Sequence, residues 1–161
     1  MKCIQLLFWA YLSLLPFHLV GGSEDSLVNV LSSQLGQTEH PIGSNWGHPV
    51  QDYLEAAGIN VPAPWCAAFI EWGLHKVGRK GAGAYCPNWD VEERRTLPKC
   101  GSLGLVWSPS MKRYGHIFAV KRRVSSTAVE TIEGNSNAGG SREGYMVVSR
   151  IRSSSGRFVK W

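Results

Sequence analysis

The chain has 161 residues, with 17 Lys+Arg against 12 Asp+Glu and a formal net charge of +5, which is enough chain for one domain with a real core. The basic balance suits an anionic partner surface, but its only clusters, Lys112-Arg113 and Lys121-Arg122-Arg123, are short enough to be solvated strand ends. Seven Trp come without a stacking motif for bases, and this argues against a nucleic-acid-binding module.

Met1 to Val20 carries Lys2 as its only charge in a run rich in Leu, Phe and Trp; small residues Gly21-Gly22-Ser23 follow, and Glu24-Asp25 begins a polar chain. That three-part pattern is a secretory signal peptide cut after Gly22. Gln5, Ser13, Pro16 and His18 interrupt the run, which makes it poor as a spanning helix of about twenty apolar residues. Cys3 lies at the wrong end of it to carry a lipid. The expectation is a signal peptide over 1–22 and one exported domain over 23–161, secreted or periplasmic, with no stable membrane anchor after cleavage.

Export changes the cysteine arithmetic. Cys66, Cys86 and Cys100 remain, and an odd count in an oxidising compartment suggests one bridge and one thiol kept for chemistry. Cys86 and Cys100 flank a charged, Pro-bearing segment, so the expected disulfide is Cys86–Cys100 and the free thiol Cys66. No CxxC or HxxxH spacing occurs, so no metal site is expected.

Along the exported chain, Leu27, Val30, Leu31 and Leu35 recur near helical spacing ahead of Gly36. A polar stretch follows through Asn45. Pro49 suits a first helical turn, and Val50, Tyr53, Leu54 and Ala57 recur at i, i+3, i+4 and i+7 before Gly58. Pro62 and Pro64 extend the chain. A third helix opens at Cys66, with Phe69, Ile70, Gly73, Leu74 and Val77 on one flank and Gly78 as its stop.

Arg79 to Cys100 reads as a long loop or short helical turns. Leu103–Trp107, Gly115–Arg122, Thr127–Glu133, Tyr145–Arg150 and Arg157–Lys160 then read as strands between Gly, Ser and Asn turns. Helices first and strands afterwards predict an α+β domain.

Cys66 is the focal residue. A thiol at a helix start faces the positive end of the macrodipole, where unpaired N–H groups favour the thiolate. A histidine can take its proton, and a carboxylate or carboxamide can hold that imidazole in one tautomer. His116 shares a strand face with Phe118 and Val120, and Glu133 one with Val129 and Thr131. Paired through a turn near Ser125-Ser126, both residues are expected to point toward the sheet face covered by the Cys66 helix. His40 and His48 lie upstream of that helix, and His75 lies too far along its axis.

Asn45-Trp46-Gly47, Pro64-Trp65-Cys66-Ala67-Ala68-Phe69, Gly115-His116-Ile117-Phe118-Ala119-Val120 and Glu133-Gly134-Asn135-Ser136-Asn137 together resemble the CHAP domain, a branch of the papain-like NlpC/P60 superfamily. The resemblance covers roughly Ser44 to Arg152. It implies a papain-like CHAP fold, with N-terminal helices packed on an antiparallel β-sheet, and a peptidoglycan amidase or endopeptidase. It casts Cys66 as nucleophile, His116 as base and Glu133 as the group orienting His116, and it makes Asn135 a further polar position of the active site. Acidic residues ahead of the nucleophile are scattered (Asp25, Glu39, Asp52, Glu55), so calcium dependence is not expected, nor is any other cofactor. No wall-binding domain is apparent, and the basic charge is expected to provide attraction to anionic wall polymer instead.

Trp65, Trp89 and Trp107 are candidates to line a substrate groove, with core filling as the competing role. Two other functions compete with hydrolysis. One is a non-catalytic wall-binding module, against which the complete Cys66–His116–Glu133 set argues. The other is an acyltransferase that forms the same thioester.

Overall fold

Three helices precede five strands in the computed structural model, which describes residues 24–139 and 143–161. The expected signal peptide, 1–22, lies outside the described residues. The helices are α1 (Glu24–Ser32), α2 (Val50–Ala56) and α3 (Cys66–Lys76); the strands are β1 (Leu103–Ser108), β2 (Arg113–Arg123), β3 (Ala128–Ser136), β4 (Met146–Ser153) and β5 (Arg157–Val159). Between α3 and β1 the chain makes two 3-10 turns, Cys86–Trp89 and Glu92–Arg94. The sheet is ordered β4-β3-β2-β1-β5, with every pairing antiparallel. The α+β class follows, and the β2–β3 hairpin closes where the Ser125-Ser126 turn predicts. No helix among the described residues is long and apolar enough to cross a membrane.

α2 and α3 bury most of the stripes that their spacing predicts, whereas α1 turns Val28 inward in place of Val30. α1 contributes Leu27, Val28 and Leu31, α2 contributes Val50, Tyr53 and Leu54, and α3 buries Cys66 to Glu71, Gly73 and Leu74. Leu35 lies beyond α1 and is exposed, because the helix ends at Ser32 before that residue can complete the stripe. α3 is the centre of the core. A Cβ at Gly73 would fall 2.5 Å from Leu31 Cδ2, and one at Gly134 on β3 would fall 2.7 Å from Trp65 Cζ3 and 2.8 Å from Phe69 Cβ. Glycine at those two positions therefore lets α1 and the sheet approach α3 closely.

Strand alternation assigns the sheet faces, and here one expectation is corrected. Ile117 and Ala119 of β2 and Ile132 of β3 join the large cluster with α3, whereas Phe118, Val120 and Val129 form a second cluster with Phe158. The face shared by His116, Phe118 and Val120 is thus the one away from the helices. Both parities of β2 are apolar over Ile117–Val120, so hydrophobicity alone could not say which side α3 covers.

The segment Arg79–Cys100 is a shaped connection. Glu71, buried on α3, accepts the backbone N–H groups of Gly81 at 3.0 Å and Gly83 at 2.8 Å, while Trp89 Nε1 donates to Gly83 O at 2.9 Å. Arg157 of β5 pairs with Asp90 and, at 2.9 Å, with Glu92. The connection is held at one end to α3 and at the other to the sheet edge.

Candidate active site

Cys66 is the first residue of α3, following Trp65, whose carbonyl accepts the Phe69 N–H at 2.9 Å. Pro62 and Pro64 keep the approach extended, so the helix starts abruptly and its unpaired N–H groups gather around the thiol. Trp65 fixes that start. It is fully buried, rests against Tyr53 and Phe69, and donates its indole Nε1 to Glu39 Oε1 at 2.8 Å.

Glu39 is itself fully buried and also accepts the Asn45 N–H at 3.0 Å and the Asn135 amide at 3.4 Å. A buried carboxylate needs such donors to offset its lost hydration. Here they tie the loop before α2, the end of β3 and the helix start into one knot.

His116 reaches Cys66 from β2. Cys86 Sγ lies 3.6 Å from the thiol, and the His116 imidazole and the Ile117 backbone are close enough to act on it electrostatically. On its other side the ring is joined through Nε2 to Glu133 Oε2 at 2.9 Å. Glu133 is fully buried, and its oxygens accept from Thr131 Oγ1 at 2.6 Å, Arg152 Nε at 2.5 Å and Arg152 Nη2 at 2.7 Å. The guanidinium of Arg152 also lies 5.2 Å from the centroid of Phe118, so the second apolar cluster supports it from below. A relay thus runs Cys66–His116–Glu133–Arg152. His116 and Glu133 share the open face, and the thiol meets the ring where α3 begins.

The electrostatics follow from this geometry. The Cys86 hydrogen bond draws the Cys66 thiol down, burial opposes it, and the His116 hydrogen bond and charge draw it further; the net is well below the ordinary thiol value. Burial alone would lower His116, but its hydrogen bonds to Cys66 and Glu133, with their charges, push it up to about 9. Burial would raise Glu133, yet Arg152 and His116 hold it well below the usual carboxylate range. Together these shifts favour the thiolate of Cys66, the imidazolium of His116 and the carboxylate of Glu133.

Other sequence-predicted residues fall differently. Asn135, at φ 51°, places its amide nitrogen 3.0 Å from Asn45 Oδ1 and 3.3 Å from Gly144 O, so those bonds brace the loop beside the site. Trp65 and Trp89 are fully buried and their indoles are committed to Glu39 and to Gly83 O, which corrects their expected place in an open groove. Trp107 is 53% exposed and stacks edge-on against Tyr114. It borders a groove of about 430 Å³ that is also lined by Met111, His116, Asn135, Arg150 and Arg152.

The expected Cys86–Cys100 disulfide is not formed. Cys86 Sγ instead lies 3.6 Å from Cys66 Sγ. The anchoring of Gly81 and Gly83 on Glu71 turns Cys86 back onto the start of α3, a path that loop composition does not reveal.

Sequence reasoning missed Arg152, Glu39 and the placement of Cys86. For Arg152 a signal existed: a buried Glu133 demands a cation, and Arg150 and Arg152 alternate on the next strand.

No family model matches the chain, and no curated protein matches it. Among solved structures it is similar to the crystal structure of Ly7917, with a TM-score of 0.49 at 14% sequence identity. The likeness covers 86% of this chain and 62% of that one, and at this level it carries no argument.

Proposed function

We propose that the chain is an exported cysteine hydrolase with a papain-like CHAP arrangement that cleaves amide bonds of peptidoglycan, as an amidase or endopeptidase. The observation that carries the hydrolase reading is the convergence of a helix-start thiol, the His116 imidazole that acts on it and a buried, arginine-held carboxylate bonded to that imidazole. Peptidoglycan as substrate rests on the CHAP resemblance, on the net charge of +5 and on the arginine- and tryptophan-lined groove that opens at His116.

In this reading the Cys66 thiolate attacks the amide carbonyl carbon. The oxyanion is met by N–H groups at the start of α3, each such donor typically worth about 3 kcal/mol. The imidazolium of His116 gives its proton to the leaving amine as the C–N bond breaks, leaving a thioester on Cys66. His116, now neutral, takes a proton from water, which attacks the thioester and releases the acid and the thiol. Glu133 keeps the ring oriented with its other nitrogen toward sulfur, and Arg152 keeps Glu133 ionised.

Incubating the protein with purified peptidoglycan and identifying the fragments by mass spectrometry tests this. New free amines on muropeptides are expected, and Cys66→Ser should abolish them while circular dichroism stays unchanged, since a hydroxyl there is a far weaker nucleophile. Retained cleavage by Cys66→Ser would sink the thiol mechanism. Stable binding without fragments would make the domain a wall-binding module.

A further inference from the structure

The relay accounts for Cys66 but not for the second buried thiol beside it. Cys86 begins the 3-10 turn Cys86–Trp89, and its sulfur is in van der Waals contact with Cys66 Sγ at 3.6 Å. Both residues are 5% exposed. The placement is built rather than incidental. Glu71 belongs to the same helix as Cys66 and grips the two glycine N–H groups just ahead of Cys86, while Trp89 just after it bonds back to Gly83 O. Pairing a low-pKa thiol with a neighbouring thiol is also chemically consequential, because a thiolate is the form that peroxides oxidise.

We infer that Cys66 and Cys86 form a reversible oxidative modification site, in which Cys86 captures Cys66 after its reaction with hydrogen peroxide and holds it as a Cys66–Cys86 disulfide. The inference rests on the reading of Cys66 as a thiolate nucleophile, but not on any particular substrate.

The chemistry balances in two steps. The Cys66 thiolate attacks one peroxide oxygen, the O–O bond breaks, and the departing hydroxide takes a proton to become water, leaving a sulfenic acid. The Cys86 sulfur then attacks the Cys66 sulfur. The S–S bond forms, the S–O bond breaks, and the departing hydroxide leaves as water with the Cys86 proton. Two thiols have lost two electrons and two protons, and the peroxide has become two waters. A small-molecule or protein dithiol reverses the bridge by exchange.

The first step prepares the second. The Cys66 hydrogen bond, then burial, then the Cys66 charge hold the Cys86 thiol far above its ordinary pKa. Oxidation turns Cys66 into a neutral sulfenic acid, which removes that charge and makes the Cys86 proton easier to lose. Joining the sulfurs closes a contact that already exists, so the fold need not open.

Without Cys86 the sulfenic acid would be free to go on to sulfinic and sulfonic acids, which ordinary thiols do not reduce. The pair would thus convert irreversible loss of the nucleophile into a reversible pause, a useful property in an oxidising compartment.

The test treats reduced, desalted protein with hydrogen peroxide and follows thiol titre, intact mass and peptide map. Wild type should lose two thiols per chain and the mass of two hydrogens, yield a cross-linked peptide containing Cys66 and Cys86, and recover both thiols with dithiothreitol. Cys86→Ser should instead add two or three oxygens at Cys66, which dithiothreitol does not remove. Oxygen addition at Cys66 in wild type equal to that in Cys86→Ser, or a bridge mapping to Cys100, would overturn the inference. The wild-type map stands even if Cys86→Ser folds poorly. Every readout is chemical, so a failure to cut peptidoglycan would leave this result intact and count against the proposed function alone.

Discussion

Glu133→Gln removes the charge at the heart of the relay with little change of shape, while one of its two acceptor oxygens becomes an NH2 group. The bond from His116 Nε2 to Glu133 Oε2 is 2.9 Å, which puts the two charge centres roughly 4 Å apart, and at an effective dielectric of about 20 the attraction is about 4 kcal/mol. That corresponds to an upper bound of about three pKa units. Partial solvent access at His116 and the retained amide hydrogen bond cut it to about one to two units. His116 stands at about 9 in the intact site, so the variant should place it near 7 to 8.

In the proposed mechanism the working acid is the imidazolium, so the rate falls as pH rises through the His116 pKa. The basic limb of the pH–rate profile should therefore move down by one to two units, with turnover at pH 8 reduced about two- to tenfold. A second consequence concerns stability. The carboxyl of Glu133 is held below its ordinary range, so its contribution is complete above about pH 4.3 and is lost as pH falls through the folded-state value. Wild type should lose melting temperature on acidification below that point, and Glu133→Gln should lose less. The assay is steady-state release of free amine from muropeptides between pH 5 and 10, with thermal melts alongside. A basic limb that stays near 9 in the variant would refute the electrostatic role assigned to Glu133.

Two further perturbations probe how the site is held. Gly134→Ala would press a methyl group onto Trp65 and Phe69 at 2.7 and 2.8 Å, and such overpacking should cost about 1–3 kcal/mol in a urea melt; an unchanged midpoint would show that α3 yields freely. Glu39→Ala would strand the indole N–H of Trp65 and the backbone N–H of Asn45, costing about 2–4 kcal/mol. Glu39→Gln, which keeps one acceptor oxygen in place, should cost less, and equal losses in the two variants would contradict the network.

How much of this was legible in the sequence depends on how local each signal is. The strand assignments fall within a residue or two of the observed β1, β2 and β5, those for β3 and β4 start within one residue but stop three short, and α3 begins at Cys66 as its prolines and apolar spacing suggest. Those features are set by neighbours along the chain. The thiol, imidazole and carboxylate were nameable, and they do come together. Their surroundings were not, because Arg152, Glu39 and Cys86 matter through register and loop path. The face error has the same origin. Periodicity grouped His116 with Phe118 and Glu133 with Thr131 correctly, but which side of a doubly apolar sheet the helices cover is decided by tertiary packing.

The site is divided between two stretches of chain, with the thiol on a helix from the first half and its activating groups on strands from the second. A nascent or partly folded chain therefore carries an ordinary cysteine. The helix alone lacks the imidazole, and the hairpin alone lacks the sulfur. Reactivity is created by docking of the sheet against α3, at the moment the thiol also becomes buried. In the proposed hydrolase folding thus acts as a safety catch: the thiol stays ordinary until the sheet docks, and becomes reactive only where the finished fold restricts what can reach it.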